Sequence, residues 1–176
     1  MNGMTWWGDF PGECAQVAQV RRLAGALLQD SRVRDDAILC LVELSNNAIL
    51  HTRSAGGVFT VGIWSAEAMA RVAVKDAGGW DEPVLRSASR GQLAEGGRGL
   101  AIVVALAGRV GVAGGEEGRV VWADLWCEGV GAEADAAWWE EVPPLSAGCG
   151  GCWASSGRPS RTIYSAVCTK GEVRHG

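Results

Sequence analysis

One stretch of the 176-residue sequence governs the interpretation of all the others, and it reads Ala37-Ile38-Leu39-Cys40-Leu41-Val42-Glu43-Leu44-Ser45-Asn46-Asn47. Its first six residues are all apolar, which predicts a helix that is apolar all round and therefore buried. Glu43 and Asn47 are four residues apart and share one face of that helix. A carboxylate and a carboxamide in such a helix need polar partners. The pair therefore predicts a nucleotide site.

Two glycine-bearing segments follow this helix at suitable distances. The first is Val74-Lys75-Asp76-Ala77-Gly78-Gly79, and the second is Gly96-Gly97-Arg98-Gly99-Leu100-Ala101-Ile102-Val103. The order Glu-x-x-x-Asn, then Asp-x-Gly, then Gly-x-Gly-Leu at the start of a helix resembles the nucleotide-binding boxes of the GHKL ATPases, the gyrase, chaperone and histidine-kinase superfamily. Within it, the short Glu-Leu-x-x-Asn-Ala version with a following His resembles the anti-sigma-factor serine kinases and their stand-alone actinobacterial relatives. The resemblance runs from about Ala18 to Trp126.

For the helix pair, the resemblance implies roles in metal binding and catalysis. Mg²⁺ takes few protein ligands and keeps water and phosphate oxygens, so the amide oxygen of Asn47 is a sufficient metal ligand beside ATP. Glu43, one turn earlier, would orient and deprotonate the hydroxyl, of water or of a protein serine, that attacks the γ-phosphate. The competing interpretation is a Glu and an Asn that merely face solvent, and the six apolar neighbours argue against it.

Asp76, Gly78 and Gly79 are implied to hold the adenine base. An ionised carboxylate accepts a hydrogen bond from the exocyclic amine of adenine, whereas guanine carries a carbonyl at that position. The two glycines would let the backbone approach the base and turn into the following loop. Taken alone, an Asp-x-Gly at a strand end is more often an ordinary turn. Only its combination with the other two segments favours a nucleotide site.

The third segment is implied to bind the phosphates. Gly97 and Gly99 bracket Arg98 just before a predicted helix that starts at Leu100, so backbone N–H groups and a guanidinium would face the phosphates. Taken alone, this segment is equally compatible with a plain loop-to-helix junction. For His51, at the end of the first box, a structural role is favoured over catalysis.

Two departures from the family pattern affect the base pocket. The fuller Asp-x-Gly-x-Gly box is shortened to Asp76-Ala77-Gly78-Gly79-Trp80. Many family members also carry a Thr in the last hairpin that assists the Asp at the base, whereas this chain has Arg119-Val120-Val121-Trp122. We therefore expect a lowered affinity for adenine.

The composition restricts the class of protein. With 48% hydrophobic and 20% charged residues, the chain has enough apolar side chains for one globular domain, which excludes disorder throughout. A net charge of -4 supplies no basic stripe for duplex binding, so direct nucleic-acid binding is not expected. The N-terminus lacks the features of a secretory signal, and the apolar run near Leu100 to Leu106 is far shorter than the roughly 20 residues of a membrane helix. We expect a cytoplasmic protein that does not bind membranes.

The hydrophobic pattern predicts an α+β domain over residues 1–128. The predicted elements are an edge strand at Thr5 to Phe10, a helix at Cys14 to Leu28, the Glu43 helix, a hairpin of Val58 to Trp64 with Ala70 to Val74, a lid-length loop at Ala77 to Glu95, a helix at Leu100 to Ala107, and a hairpin of Val110 to Val112 with Arg119 to Trp126. Short turns make neighbouring strands antiparallel. We expect a two-layer α/β sandwich with a mixed, mainly antiparallel sheet and helices on one face, the Bergerat-type fold that the resemblance also implies.

The remaining sequence supplies two weaker predictions. Residues 129–176 contain a possible short helix and then a Gly/Ser/Cys-rich stretch, and we expect a poorly ordered tail. Of the six cysteines, Cys14 and Cys40 are predicted to be core residues. Cys149 and Cys152, with Cys168 and His175 beyond, begin a zinc-ligand spacing but give weak support for a metal.

Three functions are compatible with the three boxes. The preferred one is an Mg-ATP-dependent protein serine/threonine kinase of the anti-sigma-factor type, which phosphorylates an anti-anti-sigma partner and alternately sequesters a sigma factor, as a monomer or a homodimer. The second is a non-catalytic ATP-binding module that controls a protein partner. The third, a histidine-kinase catalytic domain acting in trans, is disfavoured because neither His51 nor His175 lies on an upstream phosphoacceptor helix.

Overall fold

The computed structural model describes residues 4–79 and 98–127. The elements in chain order are β1 (Met4–Pro11), α1 (Cys14–Leu27), α2 (Arg34–His51), β2 (Val58–Ala66), β3 (Met69–Asp76), α3 (Arg98–Leu106), β4 (Arg109–Gly115) and β5 (Gly118–Trp126). Every element predicted within these ranges is present. None of the helices in these two ranges is long and apolar enough to cross a membrane.

The five strands form one sheet in the order β1-β2-β3-β5-β4. All four pairings are antiparallel, and β1 lies at an edge as predicted. The pairing of β3 with β5 joins strands that are distant in sequence and sets Asp76 opposite Arg119. The fold is therefore α+β with an antiparallel sheet, which confirms the predicted fold class.

The helices cover one face of this sheet. Alternate residues of each strand point toward them, for example Val61 and Ile63 on β2 and Val72 and Val74 on β3, and these four are at most 2% exposed. Helix α2 is the central helix, since it contacts α1, α3 and three of the strands. Side chains alternate between the two faces of a strand, and Asp76 follows Val74 by two residues and Val72 by four, so its side chain lies on the helix-covered face.

The opposite face of the sheet carries tryptophans and a buried ion pair. The ring of Trp64 covers Gly62, and the ring of Trp122 covers Gly111 on the neighbouring strand. The Asp124 side chain is 0% exposed and accepts hydrogen bonds from Arg71 Nε at 2.6 Å and Nη2 at 2.8 Å. This bidentate arrangement compensates a carboxylate that has lost its water.

Three sequence predictions need correction. Cys14 is exposed rather than buried, because it is the first residue of α1 and precedes the buried residues of that helix, Val20 and Ala24. Leu39 is 41% exposed, since α2 is covered by the sheet and two helices but keeps one outward side. Helix α3 begins at Arg98, two residues before the predicted start. Cys40 is buried as predicted, and burial, with Asp36 and Glu43 nearby, raises the pKa of its thiol to about 12.

Several predictions fall outside the described residues. They are the greater part of the loop from Ala77 to Glu95, the tail at residues 129–176 and the cysteine cluster at Cys149 and Cys152. Gly97 also lies outside, and of Arg98 only the backbone is described.

Candidate nucleotide-binding site

The site begins with Glu43 and Asn47 on α2, which face the first turn of α3. Both residues are half-buried, and their helix neighbours Leu44 and Ala48 are each 2% exposed. A β-carbon placed on Gly99 would lie 2.6 Å from Glu43 Oε2 and 3.6 Å from Asn47 Oδ1. A side chain at position 99 would therefore force the end of the Glu43 side chain to move away from the start of α3. The structure therefore brings the first and third boxes together.

The amide of Asn47 is buried on one side. Its Nδ2 atom is inaccessible to water and has no hydrogen-bond partner, while its Oδ1 atom faces the start of α3. An unsatisfied buried donor costs free energy unless water or a ligand satisfies it. No three His, Cys, Asp or Glu side chains cluster within residues 4–79 and 98–127. A Mg²⁺ ion at Asn47 would accordingly take most of its ligands from phosphate oxygens and water, as that ion prefers.

One backbone hydrogen bond and one hydrogen bond to a side chain attach the second box to the residues that follow α2. Arg53 donates its backbone N–H to the Gly78 carbonyl at 2.9 Å, and Ala77 donates its N–H to the hydroxyl of Ser54 at 2.9 Å. Ser54 is 0% exposed, and a β-carbon on Gly79 would lie 3.3 Å from the His51 carbonyl oxygen. The end of β3 is thus fixed beside the last turn of α2.

Gly78 occupies a conformation that other residues rarely adopt. Its φ is +75°, and a β-carbon there would collide with the carbonyl of Glu116 in the β4–β5 turn. Both observations require glycine. The Asp-Ala-Gly sequence consequently forms a tight turn in which the Gly78 N–H donates to Asp76 Oδ1 at 2.7 Å.

Asp76 is the last residue of β3 and is 6% exposed. Its Oδ2 atom lies 3.5 Å from Nε of Arg119, its neighbour across the sheet. Burial raises the pKa of Asp76 above the ordinary value, against the opposing influence of the Gly78 N–H and of Arg119. The carboxylate is held in place by the turn and the ion pair together.

The two halves of the site lie along α2. Glu43 is eight residues from His51, which corresponds to about 12 Å along the helix axis. The helix N-terminus at Gly99 suits anionic groups, because its free N–H groups and the helix dipole both attract them. The residues present therefore fit a nucleoside triphosphate whose phosphates lie near Gly99 and whose base lies near Asp76. Leu100, also assigned to this site from the sequence, is half-buried in α3 and packs on the core.

A comparison with protein-family models decides the classification. The model of the histidine kinase-like ATPase domain matches residues 10–125. This chain belongs to the histidine kinase-like ATPase family. The match confirms the GHKL resemblance and classifies the domain among the ATP-binding domains of this family.

A solved structure shares the fold. It contains the RsbU and RsbW domains of Rv1364c from Mycobacterium tuberculosis, with a TM-score of 0.53 and 16% sequence identity over 70% of this chain. This chain covers 32% of the length of that one, so the likeness concerns the fold. No curated protein matches this sequence.

Two residues of this histidine kinase-like ATPase domain were not foreseen as parts of the site. Ser54 fixes the Asp76 turn through its hydroxyl, and the sequence shows only a serine in a loop after the helix. Arg119 was noted as a departure from the family pattern, but its ion pair with Asp76 depends on the register between β3 and β5. Strand register of this long range cannot be derived from local sequence.

Proposed function

We propose that this chain is an Mg-ATP-dependent protein serine/threonine kinase of the anti-sigma-factor type. Its substrate would be an anti-anti-sigma protein, and its alternative partner a sigma factor. The observation that carries the proposal is the position of the Glu43 carboxylate at the start of α3, one helical turn from Asn47. A carboxylate at this position can take up the proton of a hydroxyl that attacks where the phosphates bind.

The proposed reaction transfers the γ-phosphoryl group to a hydroxyl. The hydroxyl oxygen of the serine or threonine bonds to the γ-phosphorus, and Glu43 accepts the hydroxyl proton. The bond from the γ-phosphorus to the β,γ-bridging oxygen breaks. Asn47 would hold Mg²⁺ through its amide oxygen, and the ion would neutralise phosphate charge. The backbone N–H groups at the start of α3, including that of Gly99, receive the phosphate oxygens. Asp76 holds the adenine amine.

The protein substrate must approach this end of the helical layer. Arg21 and Arg22 on α1 are exposed and form a positively charged pair on the same layer. The alternatives are a docking site for an acidic surface of the partner and a merely solvated charge pair. Docking predicts that their replacement weakens transfer without weakening ATP binding.

The test is phosphoryl transfer to a captured partner. The immobilised protein is used to capture partners from an extract of its own cells, and the captured proteins are incubated with Mg-ATP labelled in the γ-phosphate. The proposal expects a labelled serine or threonine on a captured protein. ATP binding without transfer to any captured protein would instead support the second candidate, a non-catalytic ATP-binding module. The shortened box at Asp76 is the observation that favours this second candidate.

A further inference from the structure

Asp76 and Arg119 form a buried ion pair in the interior of the candidate base pocket. They are cross-strand partners on β3 and β5, and both side chains lie on the helix-covered face. The side chains are 5% and 7% exposed, and 3.5 Å separates Asp76 Oδ2 from Arg119 Nε. Each charge favours the ionised form of the other, because an unpaired charge at this depth would be costly.

The protonation state of Asp76 determines which purine base can form a hydrogen bond with its carboxyl group. An ionised carboxylate only accepts hydrogen bonds, so it matches the exocyclic amine of adenine. A protonated carboxyl group has an O–H donor, which matches the carbonyl at the same position of a 6-oxopurine such as hypoxanthine. The distinction between the two bases therefore requires that Asp76 stay ionised in spite of its burial.

We propose that Arg119 is a positioning residue that keeps Asp76 ionised and thereby selects adenine against 6-oxopurines. This inference rests on the proposed nucleotide-binding function and deepens it. Arg119 stands in the hairpin where many family members carry a Thr, and a neutral hydroxyl could not supply the same positive charge.

The charges around Asp76 support this role. Burial raises the pKa of the carboxyl group, whereas the Gly78 N–H and the Arg119 guanidinium lower it. Among the described residues, the other charged groups on the surrounding elements are His51 at the end of α2, Arg53 after it, Glu116 and the exposed Glu117 in the β4–β5 turn, and Lys75, which precedes Asp76 on β3. His51, Arg53 and Glu116 are exposed, and Lys75 points to the opposite face of the sheet. Within residues 4–79 and 98–127, Arg119 is thus the buried cation beside the carboxylate.

The first experiment compares ATP with ITP, because the two nucleotides differ at the base and share one triphosphate. Dissociation constants with Mg²⁺ are measured between about pH 5.5 and pH 7.5 for wild type, Arg119→Met and Arg119→Lys. The wild type is expected to prefer ATP by about tenfold, the value of one well-placed hydrogen bond. As the pH is lowered, the ratio of the ITP to the ATP dissociation constant should fall toward one. This fall should occur at a higher pH in Arg119→Met than in wild type. Arg119→Lys should restore the wild-type profile.

The second experiment needs no nucleotide. The carboxyl carbon of Asp76 is followed by NMR during a pH titration, with Asp76→Asn used for assignment. The pKa of Asp76 should be higher in Arg119→Met than in wild type, and Arg119→Gln provides the same test if the Met variant does not fold. An unchanged pKa, or an ATP preference with the same pH profile in wild type and in the Met variant, would overturn the inference. If neither nucleotide binds, the proposed function and the base-selecting role both fail, while the titration still decides whether Arg119 controls the carboxyl group.

Discussion

Replacing Glu43 with glutamine is expected to lower the rate of phosphoryl transfer by about 10²- to 10⁴-fold, the usual loss when a general base is removed. The amide keeps the shape of the carboxylate beside Gly99 but cannot take the proton of the attacking hydroxyl. The affinity for Mg-ATP should change little, because Asn47, Asp76 and the start of α3 remain. Single-turnover transfer measures the first quantity, and calorimetric titration measures the second.

The matched control is Glu67→Gln. Glu67 is an exposed acid in the β2–β3 turn, at the opposite end of the strands from Asp76, so the same chemical change should leave transfer unaffected. Transfer by the Glu43 variant at the rate of the Glu67 variant would remove Glu43 from the catalytic step. Loss of both binding and transfer would assign Glu43 to nucleotide binding instead.

Replacing Asp124 with alanine is expected to lower the free energy of unfolding by roughly 3 kcal/mol, as is typical when one partner of a buried ion pair is removed. The change deprives Arg71, whose side chain is 14% exposed, of both short hydrogen bonds to the carboxylate. Its guanidinium, which lies 6.0 Å from the Trp122 ring, then remains largely desolvated. Chemical denaturation of wild type and variant gives the difference directly.

A second arginine beside the same carboxylate provides the control. Arg109 Nη1 is 3.9 Å from Asp124 Oδ2, and the Arg109 side chain is 42% exposed. Solvent screens such a pair, so Arg109→Met should cost less than about 1 kcal/mol. Equal costs for the two substitutions would show that the buried bidentate geometry is not what stabilises this face. Mg-ATP binding, measured well below the melting temperature, should survive in both variants because Asp124 faces away from the helices.

Much of this domain could be predicted from local sequence. Helical spacing correctly placed Glu43 and Asn47 on one face, and turn residues between apolar runs predicted both hairpins. Asp76 was expected at the end of a strand and is the last residue of β3. These features depend on residues close together in the chain, which is why pattern and spacing were sufficient.

The features that could not be predicted depend on packing between distant segments. The pairing of β3 with β5 brings Asp76 to Arg119 and Arg71 to Asp124, and neither pair is visible as a spacing. The exposure of Cys14 depends on which turns of α1 pack against α2. The contact of Gly99 with Glu43 requires the position of α3 against α2, although the glycine itself was recognised as part of a phosphate-binding segment.

The most direct test of the central claim is calorimetric titration of the wild-type protein with Mg-ATP and with Mg-GTP, repeated on Asp76→Asn. If the pocket between α2, β3 and α3 binds adenine through an ionised Asp76, the wild type will bind Mg-ATP at least about tenfold more tightly than Mg-GTP, and the Asn variant will lose that preference. Equal affinity for the two nucleotides in the wild type, or no binding of either, would contradict the account.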